Sequence, residues 1–116
     1  MLSDNVTQEV DCPPYGLRNF VCEIRDDSRE DIEAAISDIS KEWDILWPKL
    51  KEGVSKLLLD WQKPDYFSTS GFTLKLEKSG DWVDNDFFIE VIFDDADGFW
   101  SIFFKDLEVI HAQPSF

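Results

Sequence analysis

The sequence predicts an α+β fold: an antiparallel sheet of four to five strands with two consecutive helices, or one kinked helix, packed on one face. Three observations lead there. An apolar stripe with spacings of three and four runs from Ile32 to Trp61 without losing phase, the signature of helix buried along one side. From Gly71 the period changes to two, which is the period of a strand with one buried face. Residues 87–93 and 99–104 are then apolar at nearly every position, as expected of neighbouring strands in the middle of a sheet.

The elements follow in order. Residues 1–16 are polar and end in Cys12-Pro13-Pro14-Tyr15-Gly16, where the prolines forbid helix and the glycine permits a sharp turn, so an irregular N-terminal arm is expected before a single domain over 17–116. Bulky and β-branched residues over 17–25 predict a first strand. Ser28, three residues before Asp31, reads as an N-cap, with acids in the first turn where the helix dipole favours them. The stripe then takes in Ile32, Ile36, Ile39, Trp43, Leu46, Trp47, Leu50, Val54, Leu57, Leu58 and Trp61. Pro48 withholds a donor from the Asp44 carbonyl, so a break is expected near Trp47, and Lys63-Pro64-Asp65 ends the helical region.

Phe72, Leu74 and Leu76 alternate with Thr73, Lys75 and Glu77 in the next strand. A polar turn over 78–86 leads to the two apolar strands, joined by Asp94-Asp95-Ala96-Asp97-Gly98, and residues 107–112 form a last strand before Pro114. The order is β-α-α-β-β-β, with a further β where the last segment pairs. In that arrangement Phe88, Ile92, Phe99 and Phe103 lie on the face away from the helices, which needs a cover: the N-terminal arm, a partner or a second copy.

Composition bounds the function. At 116 residues, 43% hydrophobic and 15% aromatic, the chain is far too apolar for a disordered acidic tail and has room for one core. Its 25 acids against 11 bases give a net charge of −14, a field that repels nucleic acid and anionic membranes and attracts a basic protein. The bland alternative is that the acids keep the protein soluble. The polar start MLSDNVTQEVD has no signal-peptide pattern and no apolar run is long enough to span a bilayer, so a cytoplasmic location is expected. Cys12 and Cys22 fit neither a metal pair nor a disulfide scaffold; Cys22 reads as a core residue and Cys12 as part of the arm.

No phosphate loop, dinucleotide fingerprint, nucleophile elbow or HExxH motif is present, and His111 is the single histidine, so an enzyme is not expected. The acids Asp81, Asp84, Asp86, Asp94, Asp95 and Asp97 lack the spacing of a calcium loop, and neither metal nor cofactor is expected. They are candidate partner-binding residues instead, with Trp82 as an aromatic anchor between them, whereas Trp43, Trp47 and Trp61 on the stripe read as core.

The acidic helical region from Glu30 to Trp61 and the run Phe88-Ile89-Glu90-Val91-Ile92-Phe93-Asp94-Asp95, followed by Trp100-Ser101-Ile102, resemble the small acidic immunity proteins that bacteria make against their own secreted toxins. The resemblance implies a non-enzymatic inhibitor of a basic partner such as a nuclease toxin, and transfers no residue roles. Two other readings remain open. A cystatin-like or NTF2-like ligand binder or enzyme would have polar groups converging in a cavity between sheet and helices, and a dimerisation module would use the Phe88 and Phe103 face.

Overall fold

A computed structural model describes residues 5–24, 28–78 and 85–115. Val6 and Val10 turn inward on an otherwise polar segment, enough to hold Asn5–Asp11 as strand β1 against β2, Leu17–Glu23, in an antiparallel hairpin. Residues 5–11 of the expected irregular arm are therefore a strand. Gly16, at φ +84°, closes the hairpin in a conformation that side chains resist. Cys12, expected in a loose arm, is fully buried beside this turn, and burial pushes its thiol pKa up to about 12.

Ser28 caps α1, Arg29–Lys41, by accepting a hydrogen bond from the Asp31 amide at 3.2 Å, as expected from the sequence. The helical stripe does break, but at Glu42 and not near Trp47: α2 runs Trp43–Asp60 with Pro48 inside it. Ser40 Oγ donates to the Ile36 carbonyl at 2.7 Å, a side-chain bond that competes with the helix ladder at the end of α1. Trp43 and Trp47 are core, but the helix has ended by Trp61, which is half exposed. A short α3, Tyr66–Thr69, inserts Phe67 into the core.

The remaining strands are β3 (Phe72–Lys78), β4 (Phe87–Phe93), β5 (Phe99–Lys105) and β6 (Glu108–Ser115). The sheet has six strands in the order β1-β2-β3-β4-β5-β6, against the four to five expected, and it is mixed, because the helical crossover brings β3 alongside β2 in parallel. All other neighbours are antiparallel. The helices share one face, α1 over β1 and β2, α2 over β5 and β6. Between them and the sheet Phe20, Leu46, Leu50, Leu74, Ile89, Val91, Ile102 and Phe104 are sealed from solvent. That space is filled with apolar side chains. No helix among the described residues is long and apolar enough to cross a membrane.

Candidate functional site

The acids expected to bind a partner do not form one patch. Asp81, Trp82 and Asp84 lie outside the described residues. Asp86 stands at the start of β4 and Asp94, Asp95 and Asp97 follow its end, so the seven-residue strand separates them by about 23 Å at ~3.3 Å per residue. Asp86 also has structural work. Its Oδ2 accepts from the Asp106 amide at 2.9 Å, pinning the β5–β6 turn, where Asp106 and Leu107 both have positive φ (52° and 64°). Such a turn suits the twist of a hairpin but is unfavourable for leucine, and Lys49 adds a second tie by donating to the Leu107 carbonyl at 2.9 Å.

At the other end of β4 the turn carrying Asp94, Asp95 and Asp97 is fixed by its neighbours. The Asp94 amide donates to the Gly71 carbonyl at 2.9 Å, and the Asp95 amide to Ser70 Oγ at 3.0 Å. A Cβ at Gly71 would sit 2.5 Å from Asp94 Oδ2, so a larger residue there would turn that exposed carboxylate aside. All three aspartates are exposed. Asp95 and Asp97 rim a pocket of about 420 Å³ whose other walls are Lys63, Tyr66, Ala96 and Trp100. The Tyr66 and Trp100 rings lie 5.7 Å apart, and each also packs on Phe93 at 5.4 Å. Trp100 is only 1% exposed, so Asp95 and Asp97 with the partly exposed Tyr66 form the accessible surface suited to a cationic side chain. The aromatic walls were not singled out from the sequence, where Tyr66 follows the helix end and Trp100 reads as core.

The open face of the sheet holds the second candidate. The register sets Phe88 opposite Phe103, stacked at 4.6 Å, and places both away from the helices with Ile92 and Phe99, as expected. They are not a continuous apolar patch. A polar row, Lys75, Glu90, Ser101 and Gln113, crosses the sheet between the two pairs of apolar residues, and Phe103 is itself only 2% exposed. Residues 5–11 do not cover this face, since they are strand β1 at the sheet edge.

Lys75 is the electrostatic centre of that row. Its ammonium is 3.0 Å from Glu23 and 3.2 Å from Glu77, with Glu90 directly opposite across the β3–β4 ladder. Burial lowers its pKa, but the hydrogen bonds with Glu23 and Glu77 and the charges of Glu77 and Glu90 outweigh that and leave it raised above 10.5. His111, the one histidine, lies beside the Phe103 ring at 5.5 Å with Nε2 3.1 Å from Gln113 Oε1. Cys12 Sγ donates to the Val10 carbonyl and Cys22 Sγ to that of Glu23, both at 3.8 Å. Among the described residues no group of three or more His, Cys, Asp or Glu is placed to hold a metal ion. Comparison with protein-family models, curated proteins and solved structures finds no match for this chain.

Proposed function

We propose that this chain is a non-enzymatic protein-binding module, of the immunity or inhibitor kind, whose partner is basic and places a Lys or Arg side chain against Asp95 and Asp97. The observation that carries this reading is the pocket beneath the β4–β5 turn, where two exposed carboxylates stand beside Tyr66 and Trp100. An entering guanidinium would gain charge-assisted hydrogen bonds at the rim and ring contact inside. Lys63, on the same wall, is the resident cation that the guest must share these carboxylates with or displace. The net charge of −14 adds long-range attraction that a neutral surface lacks.

The test is affinity capture with the chain as bait, followed by kinetics on the purified pair. The partner is expected to be basic, and association to slow at least about tenfold between ~20 and ~300 mM salt, with dissociation changing less. Asp95→Asn with Asp97→Asn is expected to lower the association rate roughly three- to tenfold and to flatten that salt dependence. A partner that binds at a rate indifferent to salt, or equally well to the double variant, refutes the reading.

A further inference from the structure

We propose that β6 pairs with the β6 of a second copy of this chain, antiparallel about a two-fold axis, so that two six-stranded sheets join into one. The inference is independent of the basic-partner reading and uses a different face. β6 is the longest strand and ends the sheet. Its middle, residues 109–113, carries no acid or lysine, and Ile110 there leaves an aliphatic side chain 44% exposed at an irregularity in the β5–β6 register. The bulge at Ile110 and Pro114 bound the stretch open to another strand, leaving residues 111–113, without acid or lysine, as the segment that pairs across the axis. Beside it, between β6 and α2, runs a groove of about 520 Å³ floored by Gly53, Leu57, Val109 and Ala112.

Charge selects the occupant. α2, Trp43–Asp60, holds three lysines and three acids, so it is locally neutral on a chain of net charge −14, and a second copy meets less repulsion here than on the acidic surfaces. Along the groove wall the charges read Lys49, Glu52, Lys56, Asp60. Reversed, that stripe is its own complement: Lys49 falls opposite Asp60 of the other copy and Glu52 opposite Lys56, and the reverse across the axis. A two-fold interface demands such self-complementarity. The axis position is consistent from both layers. Lys49 bonds Glu108 at the start of β6 at 2.6 Å, and Gly53 faces Ile102, which pairs with Ala112. The middle of β6 therefore lies beside the middle of the stripe, and one axis serves strand and helix.

Sedimentation of the full chain between about 5 and 500 µM tests this. A monomer–dimer equilibrium is expected for the wild type. Lys56→Glu sets acids against acids at both ends of the stripe's inner pair and should weaken the dimer about tenfold or more. Adding Glu52→Lys restores both the complementarity and the original net charge, and should restore the dimer. Lys41→Glu, the same charge change on α1, should weaken it less than threefold. The side chains at 41, 52 and 56 are more than 70% exposed, so the fold tolerates all three, and a thermal melt checks that. A wild-type chain that stays monomeric to 500 µM, a dimer indifferent to Lys56→Glu, or a double variant that fails to recover overturns the proposal.

Discussion

Replacing Trp47 with alanine is expected to lower the free energy of unfolding by about 3–5 kcal/mol, the range for a buried large aromatic side chain. Trp47 is 5% exposed and joins three parts of the molecule. Its ring stacks on Trp43 at 6.1 Å and on Phe72 at 6.0 Å, and meets Tyr15 and Phe67 edge-on. Its indole N–H donates to the Pro13 carbonyl at 2.9 Å, fixing the β1–β2 turn to α2. The variant loses ring contact, leaves a cavity and orphans that carbonyl at once. Denaturant titration at pH 7 measures the loss. A shift below about 1 kcal/mol would mean that the aromatic cluster is not what holds α2 and α3 against the sheet. Trp61→Ala is the comparison, because a half-exposed indole past the helix end should cost less than the fully enclosed Trp47.

The second large effect is expected from Lys75→Met, which removes the cation among Glu23, Glu77 and Glu90. The Glu77 contact is well shielded, with side chains 20% and 15% exposed, whereas the Glu23 contact, at 40%, is discounted for solvent screening. Losing both while three carboxylates stay close should destabilise the chain by about 1–3 kcal/mol at pH 7. The pH dependence has a definite sign. In the wild type the raised Lys75 pKa means its stabilisation is fully present below 10.5 and is lost as pH rises through the folded value. Urea melts at pH 7 and at a pH above the folded Lys75 value distinguish this from simple loss of packing, which would give the same difference at both.

What the sequence made legible follows from which forces leave a periodic mark. The helical stripe and the paired faces of β4 and β5 were readable because each buries a full side of its element, so Leu46, Leu50 and Val54, and Ile89 and Val91, recur at the right period. β1 was not readable, because an edge strand needs little burial, and Gln8 stands where a third inward apolar residue would have shown the alternation. The helix break was placed at the proline, yet Pro48 is tolerated within α2 while Ser40, a weaker signal, marks the end of α1. The proposed site was half visible. Composition pointed to Asp95 and Asp97, but their aromatic neighbours come from 30 residues earlier and from the next strand, a meeting that only the tertiary fold arranges.

The parallel join between β2 and β3 has a consequence for how the molecule comes apart. Seven residue pairs tie β1 to β2 and seven tie β3 to β4, but the join between the hairpin and the four-stranded meander has two, Phe20 with Leu74 and Val21 with Lys75. Each antiparallel neighbour closes over a shorter stretch of chain, whereas this seam must bring together residues more than 50 positions apart across the whole helical crossover. Among the described residues it is the join with the fewest paired residues, reinforced across the seam by the Lys75–Glu23 ion pair and by Arg18 over the Phe72 ring. Native-state hydrogen exchange should therefore find β1 and β2 opening together as one unit at lower free energy than the β4–β5 amides. Equal protection in both halves would mean that hairpin and meander form a single cooperative unit.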